Sequence, residues 1–301
     1  MSSFFEGMMF DPKWYHYFFI VLLFPFSVFY GLLMLMRRGV SKKRDFGLPI
    51  VSVGNLIVGG SGKTPFVIDL ASRYQNATVI SRGYGRKSQG LQQVSHKGQI
   101  LLGVEESGDE PMLMAQSLPH ASVIVSEDRH AAIILAKAQG AEVIILDDGF
   151  NRVEIEKFEI LLEPAEIRNI LPFPAGAFRE FWFMSKYADV TAKEGRDFSR
   201  EVRFENLSEK MLLVTAISNP QRLDAYLPEN VIAKLYLDDH AYFDEEMLKN
   251  RLESSGASTL LVTEKDAVKM QGFKLPLSIM KLKLQIKNDI YQKIDTYINK
   301  Y

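Results

Sequence analysis

Residues 53–65 read VGNLIVGGSGKTP, and the reading of this stretch decides the fold. A short β-branched apolar segment, PIVSVG at 49–54, leads into it, and TPFVIDLASRY, with the composition of a helix opening, leads out. A glycine-rich turn between a strand and a helix is the setting of a phosphate-binding loop. Its glycines let backbone N–H groups close around phosphate oxygens, and the helix N-terminus adds a favourable dipole. Gly59, Gly60, Ser61, Gly62, Lys63, Thr64 and Pro65 are therefore the candidate nucleotide contacts. In such a loop the lysine, here Lys63, reaches the β- and γ-phosphates, and the hydroxyl of Thr64 ligates Mg2+. One position departs from the G-x-x-x-x-G-K-[ST] pattern: Ile57 stands where its first glycine belongs.

Outward from the loop, short apolar runs recur: ATVIS (77–81), ASVIVS (121–126), VIILDD (143–148) and FEILLE (158–163). Helical stretches separate them, among them DRHAAIILAKAQG, stopped by Gly140. Apolar strands alternating with helices predict an α/β fold, a P-loop NTPase-like parallel sheet covered on both faces. Such a sheet binds ligands beyond the carboxyl ends of its strands. From about Arg203 the pattern restarts. MLLVTAIS (211–218) and VIAKLYL (231–237) read as strands, NPQRLDAYL and DEEMLKNRLESSG as helices, and STLLVTEKDAVKM as a further strand and turn. This predicts a second, smaller α/β domain at 206–301, after a core at 41–205 and an N-terminal segment at 1–40.

That N-terminal segment is of another kind. From Trp14 to Met36 there are 23 residues without a formal charge, enough to cross or lie deep in a bilayer. Trp14, Tyr15 and Tyr17 crowd its start, as interfacial anchors do, and Arg37, Arg38, Lys42, Lys43 and Arg44 follow it. The positive-inside rule puts those cations, and all that follows, on the cytoplasmic side. A spanning helix and one lying in the interface both fit, the latter helped by Pro25, Ser27 and Gly31. The rest of the composition excludes more than it suggests. A net charge of -1 calls for no nucleic acid, and the lack of cysteine removes disulfides, thiolate metal sites and cysteine nucleophiles. The five histidines are scattered, with no metal-ligand spacing.

Other strand ends carry chemistry. VIILDDGF (143–150) delivers Asp147 and Asp148 to a strand terminus, where they can hold Mg2+ directly or through water. GDEP (108–111) sets Asp109 beside Glu110 in a turn; a hydroxyl nucleophile wants such a carboxylate near its proton, though a solvated turn has the same sequence. SRGYGR (81–86) offers arginines to an anionic ligand, or is an exposed basic loop. Arg179 in LPFPAGAFRE is either a phosphate contact or a surface residue, and His240 in LDDHAYF either a functional or an ordinary loop histidine.

In this order the segments PIVSVGNLIVGGSGKTP, SRGYGR, GDEP, ILDDGF, LPFPAGAFRE, LDDHAYF and LVTEKDAVK, spread over residues 49 to 269, resemble one family, tetraacyldisaccharide 4'-kinase. The resemblance implies ATP and Mg2+ as cofactors. It implies an acylated disaccharide 1-phosphate as acceptor, with membrane lipids around it, and a place on the cytoplasmic face of the bacterial inner membrane, anchored by residues 14–36. It makes Asp109 the catalytic carboxylate, working with His240, and places substrate and phosphate contacts at Arg82, Tyr84, Arg129 and Arg179. Thr64, Asp147 and Asp148, with Glu110 as a further candidate, would hold the metal. No obligate protein partner is expected. The family tolerates the loss of the first loop glycine, which accommodates Ile57. Its acidic segment usually continues with Gln and His, where this chain has Asn151 and Arg152. Two other classes fit a phosphate loop beside a membrane helix: a nucleotide switch acting on a protein, and a scaffold in which nucleotide is structural.

Overall fold

The computed structural model describes residues 3–58, 62–163 and 168–301. The chain forms two compact units: residues 1–63, 142–199 and 286–301 make the first, and residues 64–141 and 200–285 the second.

In the first unit four parallel strands lie side by side in the order Val143–Asp147, Ile50–Gly54, Phe158–Glu163, Val190–Lys193. Ile50–Gly54 and Val143–Asp147 are buried at every position, as their continuous apolar sequences require of strands covered on both faces. Val53 pairs with Asp147, so the strand that enters the phosphate loop and the strand that delivers the aspartates end together. Gly54 is needed at this junction: a Cβ there would lie 2.6 Å from Phe150 Cβ and 3.0 Å from its backbone nitrogen.

The apolar segment forms a 3-10 turn at Trp14–His16 and a helix at Tyr17–Val40, preceded by a short helix at Ser3–Phe10 that its sequence does not announce. The long helix suffices, by length and hydropathy, to cross a membrane. One stripe of it nevertheless packs on its own unit. Ile20 joins Met8 and Ala175 in a buried cluster, and the Ser27 hydroxyl accepts from Ala175 N at 2.8 Å. Gly31 faces the Phe181 ring, which a Cβ would meet at 2.5 Å. Arg38 donates to Glu180 at 3.0 Å, a nearly buried pair, and its guanidinium stacks over Phe150. These positions are spaced seven, four and seven residues apart, which keeps them on one helix face. The other face leaves Phe18, Val21, Phe26, Phe29 and Met36 exposed. The expected basic collar is thus partly spent on intramolecular pairs, since the Arg38 side chain is largely enclosed against Glu180 and Arg37 and Lys43 pair with Glu154 and Glu156.

The second unit holds two groups of strands. Ala77–Ser81 and Ser122–Val125 pair in parallel, and an antiparallel edge, Gln92–His96 with Gln99–Ile100, extends them. A five-stranded sheet follows the order Val231–Tyr236, Met211–Thr215, Thr259–Thr263, Leu277–Ile286, Phe198–Glu205. Alternation along its strands supplies two faces: Leu212, Val214, Leu260 and Val262 pack on Leu248 and Leu252 of the helix Glu245–Ser255, while Met211, Leu213, Leu261 and Met280 form the opposite cluster. NPQRLDAYL, read as a helix, is a 3-10 turn at Pro220–Tyr226 with no buried residue. Only Leu223 and Leu227 of the segment pack, partly buried, on the sheet, too short a stripe to seat a full helix, so local proline geometry prevails.

Candidate active site

Two clusters of charge stand at strand ends, one in each unit. In the first, Lys63 opens the helix Lys63–Ser72 directly after the loop. Its Nζ donates to Asn55 Oδ1 at 3.1 Å and lies 3.5 Å from Asp148 Oδ1. Arg179 Nη1 donates to both Asp148 oxygens, at 2.9 and 2.7 Å. Asp148 takes a φ of +53°, and its backbone N–H donates to Val53 O at 2.9 Å, which turns the residue back over the strand that feeds the loop. Burial alone would push the Asp148 carboxyl up, but Lys63 and Arg179 outweigh it and hold the group below the usual carboxylate range. Asp147, one residue earlier, is buried at the strand's end.

Gly62 has a φ of +78°, while Gly59, Gly60 and Ser61 lie outside the described residues. Thr64 and Pro65 are half-buried in the first helical turn. Asn151 and Arg152 contribute backbone: their carbonyls accept from Arg37, at 2.9 Å, and from Lys157, at 2.6 Å.

The cluster in the second unit is more enclosed. Asp109, 5% exposed, is the first residue of the helix Asp109–Ser117. Gly108 before it has a φ of +89°, and a Cβ there would sit 3.0 Å from Tyr84 O. That makes the glycine of GDEP a conformational requirement. His240 Nδ1 approaches Asp109 Oδ2 at 2.9 Å and Oδ1 at 3.1 Å across 131 positions of sequence. His240 is itself left-handed, with a φ of +62°, and its N–H donates to Ala216 O at 3.0 Å. A histidine in that region costs roughly 1–3 kcal/mol, so its surroundings must over-determine it. The Tyr84 ring stacks obliquely against the imidazole, centroids 5.3 Å apart.

Two lysines and a histidine face Asp109. Besides His240, Lys265 Nζ lies 3.6 Å and Lys269 Nζ 3.8 Å from Oδ2. Burial raises the Asp109 carboxyl, but the His240 hydrogen bond and the two lysines prevail and hold it below its ordinary range. The same bond raises His240 against burial and the charge of Lys265. Such a carboxylate stays ionised at neutral pH and can accept a hydrogen bond from an alcohol. Phosphoryl transfer through a loose transition state asks for orientation of the nucleophile more than for early deprotonation, so low basicity is tolerable.

The remaining expected residues divide. Glu110 accepts from Lys265 Nζ at 3.2 Å. Arg82 is exposed, beside the exposed Tyr84. Arg129 is buried at the start of the helix Arg129–Ala138, where its guanidinium donates to the Ser126 carbonyl. Sequence reasoning gave no role to Asn55, Lys265, Asp266 or Lys269. The segment LVTEKDAVK carried three of them in plain view, but nothing local says that they meet Asp109.

Comparisons with known proteins identify the family. The family model described as tetraacyldisaccharide-1-P 4'-kinase (LpxK) matches residues 19–205 and 190–300. The tetraacyldisaccharide 4'-kinase of Helicobacter pylori (strain HPAG1) is 45% identical over 100% of this chain and 96% of its own length. That of Aliarcobacter butzleri (strain RM4018) is 43% identical over 98% and 97%. Among solved structures, LpxK from Aquifex aeolicus, crystallised in complex with ATP, superposes with a TM-score of 0.77 at 29% identity, covering 93% of this chain and 99% of that one. With the family model matched over most of its length and relatives matched over the whole of it, the chain belongs to the tetraacyldisaccharide-1-P 4'-kinase family.

Proposed function

We propose that this protein transfers the γ-phosphate of ATP to the 4'-hydroxyl of tetraacyldisaccharide 1-phosphate, forming lipid IVA in lipid A biosynthesis. The observation that carries the reading is the likeness, over the whole chain, to enzymes named for that reaction. Lys63 and the loop amides hold the β- and γ-phosphates, and Arg179 stands ready to share its charge between Asp148 and a phosphate oxygen. Asp109, oriented by His240, receives the acceptor hydroxyl. Arg82, Tyr84 and Arg129 contact the substrate's anionic groups. Residues 41–205 act as the kinase core and 206–301 as the smaller domain that supplies His240.

Asp147, Asp148, Thr64 and Glu110 are the residues that would hold Mg2+. Their donors are all hard oxygens, which suits that ion. Among the described residues no three acidic or histidine side chains form a metal cage, so nucleotide phosphates would complete the coordination, as Mg2+ usually requires. Bound there, the ion would neutralise phosphate charge.

The acceptor carries acyl chains and stays in the bilayer, so an anchored enzyme searches in two dimensions. The packed stripe from Ile20 to Arg38 favours a helix embedded from the cytoplasmic face, its exposed apolar side in lipid, over one that crosses alone.

The test is transfer from γ-labelled ATP to disaccharide 1-phosphate in detergent, wild type against Asp109→Ala. Labelled lipid from the wild type and almost none from the variant is expected. ATP hydrolysis without labelled lipid would instead favour a nucleotide switch.

A further inference from the structure

The segment TEKDAVK matches the family yet has no part in the reaction as described so far. Two of its residues are among the most enclosed charges of the second unit. Asp266 is fully buried, and Lys269 has 1% of its side chain exposed. The Asp266 carboxylate accepts from Thr215 Oγ1 at 2.6 Å, Thr263 Oγ1 at 2.8 Å and Ala216 N at 3.2 Å. Lys269 Nζ lies 3.3 Å from Asp266 Oδ1, donates to Ala241 O at 3.0 Å, stands 3.8 Å from Asp109 Oδ2 and rides over the Phe243 ring.

These contacts converge on both members of the Asp109–His240 pair. Ala216, pinned by Asp266 through its N–H, offers its carbonyl to His240 N. Ala241, the next residue after His240, is pinned by Lys269. The left-handed turn at His240 is therefore clamped on either side, and the ammonium that clamps it also faces Asp109. An ammonium has three donors and no acceptor. Here each of its three oxygen neighbours belongs to a different element, which a structural ion pair alone would not need.

We infer that Lys269, held by Asp266, is a positioning residue for phosphoryl transfer: it sets the Asp109 carboxylate and the His240 imidazole against one another. The inference rests on the Asp109–His240 reading of the site. Lys269 itself touches neither nucleotide nor acceptor. Its loss leaves ATP binding intact and misplaces the group that orients the attacking hydroxyl, and a displacement of about 1 Å in such a group can lower the rate ~100-fold.

The experiment measures steady-state kinetics of Lys269→Met, Lys269→Arg, Asp109→Ala, His240→Ala and the double variant His240→Ala/Lys269→Met, each checked for a cooperative thermal transition. Lys269→Met should lower kcat ~100-fold with KM for ATP unchanged within ~2-fold, and Lys269→Arg, which keeps the charge, should recover to within ~10-fold of wild type. In the His240→Ala background, Lys269→Met should cost less than ~3-fold more, since the imidazole against which it sets Asp109 is gone. Full additivity in the double variant would overturn the inference. So would wild-type kcat in Lys269→Met while Asp109→Ala and His240→Ala are inactive. If those two variants kept wild-type kcat, the site reading would fall first and the inference with it. Should Lys269→Met not fold, Asp266→Asn, which keeps an acceptor for Thr215 but no charge for Lys269, is read by the same criteria.

Discussion

The two charged clusters are built on opposite plans. Around Lys63 the groups are partly open: the Lys63, Asp148 and Arg179 side chains retain 15%, 33% and 27% of their exposure, and they hold one another directly. Around Asp109 the groups are closed, with Asp109, Asp266 and Lys269 at 4%, 0% and 1%, each fixed by several partners from different elements. A site that must bind and release a phosphate chain benefits from cations whose present partners are exchangeable. In the proposed reaction Asp109 aims one hydroxyl, and such a carboxylate benefits from being over-determined. The difference teaches that, in this molecule, burial tracks the geometric precision a group needs rather than the strength of its charge.

The largest effect should come from the closed cluster. Asp109→Asn keeps the shape and removes the acceptor charge, and should lower kcat by about 10²–10⁴-fold while leaving KM for ATP nearly unchanged. Steady-state assays at saturating lipid decide this, and a rise in KM for ATP of similar size would erase the distinction between the clusters. Lys63→Ala comes next, with a loss of about 10²–10³-fold in kcat, here accompanied by weaker nucleotide binding measurable by calorimetry. Stability should sort the same way. Thr215→Val strips a donor from the buried Asp266 carboxylate and should cost about 1–3 kcal/mol in denaturant unfolding, with the second unit opening first. Arg179→Lys, in a half-open pair, should cost under about 1 kcal/mol. Equal costs would break the comparison.

The smallest expected effect is a pH dependence. His240 titrates above its ordinary value because the Asp109 carboxylate accepts a hydrogen bond from its Nδ1, so the protonated form is favoured by folding. Its contribution is complete below the ordinary histidine value of 6.5 and fades as pH rises through the raised one. The difference in melting temperature between wild type and His240→Ala should therefore be larger at about pH 6 than at about pH 9. A difference that grows with pH would contradict the pairing.

Much of the frame was legible in the chain. Ile50–Gly54, Ala77–Ser81 and Val143–Asp147 were read to within a residue or so because a strand buried on both faces has no choice but a continuous apolar run. The edge hairpin Gln92–His96 with Gln99–Ile100 was missed because QQVSHKGQI is mostly polar and only Val94 and Ser95 are buried. Phe198–Glu205 and Leu277–Ile286 were missed for a related reason, since alternating charge along an exposed face resembles a loop when read singly.

By itself the sequence determined whatever depends on neighbours in the chain: the strand–loop–helix that brings Lys63 to the loop's end, the Asp147–Asp148 strand terminus, and an apolar helix too long and uncharged for an ordinary core. Only the tertiary structure decided that Asp109 meets His240, that Lys269 and Asp266 brace both, and that one stripe of the apolar helix is seated on its own unit through Ile20, Ser27, Gly31 and Arg38. The physical reason is range. Periodicity and turn chemistry act over a few residues and are written locally, whereas a contact spanning 131 positions exists only once the sheets that carry its two ends have been packed.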